Sequence, residues 1–285
     1  MKKTILLAIL LLSNVFILNA QVNDTTDTEE ETTNIKASLE YMNKAAFSGR
    51  DYMVNGGLIS PAFSLNFKWG LSIGITSFIM PNDTSKTRQF ELPVSYNKDL
   101  FDWWNIEAGY TLYRTSVNIT NKLSKAKVQN QIDHGVSLVN TFDFDWMFLY
   151  NSINYFFGTA KGLDLMFIAG KDISLDKLTG IDDLTISPTF TADIGNHFAK
   201  FRKLKLDSTS AKITNKFQPL DYEISLPIEY ELKAFTFNVT PAYAFPVNLI
   251  TSKIPSQSES NLGNHFFYLT AKITYQFNFK KRTKN

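Results

Sequence analysis

Eight charged residues recur on one side of segments whose side chains alternate between polar and apolar: Glu40, Lys44, Glu91, Glu107, Glu223, Glu229, Glu231 and Lys272. Carboxylates and ammonium groups held along one wall can line a watery path and sort solutes by charge. They can equally pair with one another and prop the wall, because a charge taken out of bulk water needs a partner. Catalysis has less to work with. The chain has no cysteine, and its three histidines, His134, His197 and His265, lie in or beside separate loops without the spacing of metal ligands. Gly56 and Gly57 mark a turn and not a phosphate cradle. Loop lysines alone do not make a nucleic-acid site. The expectation is a protein that is not an enzyme, with no metal, no cofactor and no nucleic-acid partner.

The segments that carry the eight charges have a period of two. In the last of them Phe267, Leu269, Ala271, Ile273, Tyr275, Phe277 and Phe279 share one face, while Tyr268, Thr270, Lys272, Thr274, Gln276 and Asn278 share the other. Twelve such segments predict strands near residues 35–47, 57–67, 70–80, 89–97, 104–117, 130–142, 146–157, 163–173, 184–195, 219–232, 234–247 and 265–279. The clearest have the length of a tilted strand that crosses a bilayer, about 9–11 residues, and not the roughly five or six usual in soluble proteins. The longest apolar runs after residue 20, such as 165–169 and 146–150, have five residues, so no later segment can be a membrane helix. A membrane-spanning form must then be a closed sheet, because hydrocarbon leaves unpaired backbone groups unsatisfied. The predicted fold is all-β: a closed antiparallel transmembrane β-barrel of about 12 strands, with apolar faces to lipid and polar faces inside. Closure pairs strand one with strand twelve, which lets Lys272 neutralise Glu40. Such a barrel encloses a lumen between the filled eight-stranded case and the aqueous sixteen-stranded one.

The connections sort by length. Those after even-numbered strands are mostly tight (68–69, 98–103, 143–145 and 233), with a longer one at 174–183. Several after odd-numbered strands are long and polar (81–88, 118–129, 196–218 and 248–264), the exceptions being 48–56 and 158–162. Short periplasmic turns and longer extracellular loops are the wiring of outer-membrane barrels. All four tryptophans, Trp69, Trp103, Trp104 and Trp146, fall at the short-turn end, as an interfacial aromatic girdle would. The loop 196–218 carries Lys200, Arg202, Lys203, Lys205, Lys212 and Lys216 against Asp207 alone, and 118–129 carries Lys122, Lys125 and Lys127. Basic extracellular loops suit lipopolysaccharide phosphates, and they equally suit plain solvation.

The chain's first residues read as an address. Lys2 and Lys3 precede apolar runs at 5–12 and 15–18, and Asn19-Ala20 offers a cleavage point, so residues 1–20 are expected to be a signal peptide that exports the chain. Residues 21–33 form an acidic periplasmic leader expected to be disordered, 34–279 the outer-membrane barrel, and 280–285 a basic tail.

The stretch 35–52, IKASLEYMNKAAFSGRDY, resembles the first strand and loop of a group of little-characterised outer-membrane β-barrel proteins of Bacteroidota, in which a first strand ends in an aromatic and a small residue before Gly-Arg-Asp, here Phe47, Ser48, Gly49, Arg50 and Asp51. The signal ending Leu18-Asn19-Ala20-Gln21 fits the same lineage. The closing strand to Phe279 is similar to the signal read by the barrel assembly machinery, from which the tail 280–285 departs. The resemblance implies a fold and a location in the cell outer membrane, and no substrate. Outer-membrane phospholipase A, an enzyme on a barrel of this size, sets a His and a Ser two residues apart on an outward face. Here Val136 follows His134 at that spacing. The leading functional expectation is a porin-like channel for passive movement of small polar solutes. The alternative is a plugged structural or surface-interaction barrel whose partners are outer-membrane lipid and lipopolysaccharide. A soluble β-sandwich alternates too, but explains neither the long strands nor the loop asymmetry.

Overall fold

The computed structural model describes residues 32–44, 46–47, 50–51, 57–81, 88–121, 124–158, 161–175, 183–196, 216–247 and 265–279. The expected signal segment, most of the expected acidic leader, the tail, and the loop residues Lys200, Arg202, Lys203 and Lys205 lie outside them.

The strands are β1 (Asn34–Met42), β2 (Leu58–Asn66), β3 (Leu71–Phe78), β4 (Arg88–Phe101), β5 (Trp104–Asn121), β6 (Ser124–Phe144), β7 (Met147–Gly158), β8 (Gly162–Gly170, continued by Ile173–Leu175), β9 (Asp183–Ile186 and Thr189–Gly195), β10 (Gln218–Ser225 and Ile228–Leu232), β11 (Phe235–Pro246) and β12 (Phe266–Asn278). Each pairs antiparallel with the next, and β12 returns to pair with β1 from Asn34↔Asn278 to Met42↔Thr270. The result is a closed antiparallel barrel of 12 strands. Every strand thus has a neighbour on both sides, which is what hydrocarbon demands of a spanning sheet.

Alternation becomes two surfaces. Outward side chains are large, apolar and exposed, among them Leu39, Phe63, Val94, Leu138, Ile153 and Tyr275, whereas their strand neighbours turn inside. The contrast is steep: Ile224 is 56 % exposed and Glu91 is 0 % exposed. A continuous exterior of this kind is the surface of a barrel that sits in lipid, since soluble proteins do not leave so much apolar area in water. On β5 the outward face runs from Trp104 to Arg114. That is about 33 Å of strand at ~3.3 Å per residue, or about 25 Å of height once tilted by ~40°, the thickness of a lipid-facing band.

Aromatic side chains stack at the short-turn end. Trp103 stacks on Phe101, Trp104, Phe142 and Phe144 with centroids 5.6–6.2 Å apart, and Trp69 packs beside Phe67 at 5.5 Å. Trp104 Nε1 donates to Asn140 Oδ1 at 3.2 Å, and Asn140 donates on to Asn151. An apolar ring with its N–H satisfied by a polar neighbour is the chemistry of a membrane boundary.

Two prolines break the wall along one row. Pro188 interrupts β9 and Pro227 interrupts β10, because neither can donate to the ladder. Their carbonyls still accept, from Lys171 N and Ser187 N, and Pro241 O accepts from Leu226 N. Each break skips two residues, so parity is kept and inward residues stay inward on both sides of it.

Three expectations need correction. The first strand ends at Met42, and Ala46–Phe47 pairs with Arg50–Asp51 as a separate two-residue hairpin. Residues 118–121 and 124–129 are no loop: β5 and β6 stay paired up to Asn121↔Ser124. Beyond the lipid band both faces of a hairpin meet water, so the hydropathy period vanishes while the backbone ladder continues. The connection at 174–183 is also shorter than read, because Ile173–Leu175 extends β8 and pairs with β9.

Candidate functional site

The candidate site is the inward face near the β1–β12 seam. Glu40 on β1 and Lys272 on β12 are register partners. Lys272 is in turn opposite Asn238 on β11, and Asn238 is opposite Glu229 on β10. On the other side Glu40 faces Ser60 of β2. One row thus crosses five strands as Glu229, Asn238, Lys272, Glu40 and Ser60. Directly opposite residues on one face have Cβ atoms ~4.5–5.5 Å apart, close enough for charged side chains to meet. Asn238 Nδ2 donates to Glu229 Oε2 at 3.5 Å, and Thr240 Oγ1 donates to Asn238 Oδ1 at 2.8 Å.

A residue overlooked in the sequence completes the patch. Lys36 shares the parity of Glu40, is opposite Gln276, and feels the charges of Glu229 and Glu231. Its signal was available: it sits four residues before Glu40 on the same strand. Glu231 is opposite Thr236, at the exposed periplasmic end of β10.

Below the charged row the mouth is lined by amides and hydroxyls. Asn66 Nδ2 donates to Asn34 Oδ1 at 2.9 Å and Ser72 Oγ to Asn66 Oδ1 at 2.7 Å. On the adjoining strands of the same wall, where Ser72 is opposite Ser95, Asn105 and Asn97 donate to each other, and Asn105 also donates to Asp99 at 2.7 Å. Glu107 is held by the side chains of Ser95 and Asn97.

The extracellular half differs. Glu91 and Gln89 on β4, Thr111 and Tyr113 on β5, Asp133 on β6, Asn154 and Phe156 on β7 and Asp164 on β8 are all buried. On the seam side Met42, Leu58, Phe78, Met80, Ala244 and Phe266 form an apolar cluster, with Tyr268 packed against it. Asp193 and Asp221 are register partners across β9 and β10, and Tyr268 OH donates to Glu223 Oε2 at 2.5 Å. Asp133, Asp164, Asp193 and Asp221 also went unremarked in the sequence, although each shares the parity of an inward neighbour. In β1 to β5 the inward side chains pass from half-buried at the short-turn end to buried at the loop end. Lys44 does not lie on β1 as expected. It follows the strand's end, and its Nζ sits over the Phe266 ring at 5.1 Å from the centroid.

No family model matches the sequence, and no curated protein does. Among solved structures the chain is similar to the KdgM porin, at 12 % identity over 86 % of this chain and 99 % of that one with a TM-score of 0.49. It is similar to the NanC porin at 9 % identity, over 85 % and 98 % of the two chains, with a TM-score of 0.44. It is also similar to LpxR from Salmonella typhimurium at 8 % identity, over 85 % and 99 %, with a TM-score of 0.43.

Outside the lumen, His134 Nδ1 lies 2.7 Å from Tyr110 OH on the outward face, with its ring stacked on Phe157. Val136, the next outward residue, is exposed and apolar. Among the described residues no group of three or more His, Cys, Asp or Glu could hold a metal ion.

Proposed function

We propose that the protein is an outer-membrane channel through which small polar solutes move passively. The observation that carries this reading is the half-buried inward row Glu229, Asn238, Lys272 and Glu40 within a closed barrel whose exterior is apolar. A lumen that served only as packed core would have no use for partly hydrated charges there, since an apolar lining of the same volume is at least as stable. The amide and hydroxyl lining of the periplasmic mouth offers paired donors and acceptors, the chemistry that replaces water around a hydroxylated solute. The buried groups of the extracellular half narrow the path, so the solutes are small. The same reading includes export by a cleaved signal, assembly by the barrel machinery and the Bacteroidota lineage, all of which rest on the sequence.

Purified protein in planar bilayers tests it. Discrete conductance steps are expected, smaller than those of a sixteen-stranded pore. A silent, correctly folded barrel would leave the protein without a channel function.

A further inference from the structure

We infer that the outward wall of β5 and β6 carries a binding site for the phosphate of an outer-leaflet glycolipid of the lipid A type, built from Arg114, His134 and Tyr110. The inference rests on the outer-membrane location proposed above, and not on channel activity.

Outward positions on β5 and β6 are apolar through the lipid band: Tyr110 faces Val136, and Ala108 faces Leu138. The band ends at its upper boundary in a polar group. Arg114, exposed, is opposite Ile132, and Leu112 is opposite His134, so Arg114 and His134 are diagonal neighbours on one face. Diagonal pairs lie ~7–8 Å apart, a span that one phosphate can bridge with two long side chains. Tyr110 reaches His134 from the other diagonal, 2.7 Å from Nδ1. When that hydroxyl donates, the imidazole proton sits on Nε2, which becomes a donor beside the guanidinium. Phe157 stacks on the same imidazole at 5.1 Å and fixes its plane. Lys161, also exposed, stands two residues before Leu163 on the adjoining part of the wall.

Among the described residues the acids at this height, Glu91 and Asp133, are buried inside, so the described wall is cationic outside and anionic within. A cation at the edge of an apolar band faces acyl chains below and headgroups above. Arg is the side chain whose planar fork matches phosphate oxygens. An anionic glycolipid satisfies both surfaces at once: its chains cover Tyr110, Val136 and Tyr155, and its phosphate meets Arg114 and His134.

The test uses full-length folded protein in detergent. Two probes are added separately, bisphosphorylated lipid A and lipid A stripped of both phosphates, with inorganic phosphate as a competitor. Bound lipid is counted by native mass spectrometry. Binding of the phosphorylated lipid is expected, with Arg114→Glu and His134→Ala each weakening it by roughly tenfold. Lys68→Glu, at the opposite rim, should leave it unchanged, and Arg114→Lys should keep a measurable part of it if Arg114→Glu fails to fold. Equal binding of the stripped lipid, or full binding by Arg114→Glu, overturns the site. Competition by inorganic phosphate at the lipid's own concentration would make it a free-phosphate site and overturn the lipid assignment. Cell fractionation reads the outer-membrane location separately, so the two failures are distinct.

Discussion

Glu40 and Lys272 face each other across the pairing of β1 with β12, the seam at which the last strand returns to the first. Their opposite charges favour the one register that closes the barrel with every inward residue inside, because a slip of one residue would send the whole polar face of β12 into lipid. Glu40→Lys and Lys272→Glu are each expected to lower stability to urea in detergent micelles. The double exchange should recover most of the loss, with a coupling energy of about 0.5–3 kcal/mol. Additive losses would show that the two side chains do not interact.

Lys272→Glu should also change what passes. It removes an inward cation of the seam, beside Lys36, and leaves Glu40, Glu229 and Glu231 in place. Reversal potentials in a salt gradient should move toward cation selectivity. An unchanged potential would count against Lys272 facing the conducting path.

Gly70 sets the turn between β2 and β3. Its φ is +98°, a region that side chains rarely occupy, and an added Cβ would stand 2.1 Å from the carbonyl oxygen of Asn97. Backbone cannot yield as a side-chain tip can. Gly70→Ala should cost more than about 1–3 kcal/mol, the usual cost of backbone strain alone. Urea midpoints of the folded barrel measure it, and a loss below ~0.5 kcal/mol would contradict the turn geometry.

Tyr268 OH donates to Glu223 Oε2 at 2.5 Å on the inward wall. Tyr268→Phe keeps the ring and removes the donor, leaving a shielded carboxylate without it. A loss of about 1–3 kcal/mol is expected, and adding Glu223→Gln to the Tyr268→Phe variant should return part of it. Stability equal to that of the parent protein would mean that water replaces the hydroxyl freely.

Much of this architecture was legible in the primary structure, and the reasons are local. β12 could be read residue by residue because lipid on one side and water on the other impose opposite preferences on neighbours. The same logic located β11 to within a residue at each end. It failed where both faces meet the same solvent, as in the extension of β5 and β6 to Asn121 and Ser124. Pro188 and Pro227 hid their breaks, because each sits in a row of correct parity and only the missing N–H marks the gap. The site was half readable: parity gave Glu40 and Lys272, whereas the burial of Glu91 depends on what crosses the lumen, which no single strand encodes.

Facing itself can be measured by one substitution on each surface. Val136 is exposed on the outward wall, and Thr274 is opposite Ser38 inside. Val136→Arg should cost about 2–4 kcal/mol in lipid, the depth-dependent penalty of a lipid-facing charge, whereas Thr274→Arg should cost clearly less. Equal costs would contradict the assignment of the two surfaces.

The most direct measurement exploits the absence of native cysteine. Single cysteines are placed in turn at 272, 273, 274, 275, 276 and 277 of β12, and the protein is reconstituted in vesicles. A membrane-impermeant maleimide should label the even positions, and a lipid-borne nitroxide should quench a fluorophore attached at the odd ones. Labelling without a two-residue period, or with the period reversed, would contradict a barrel with its polar face inward.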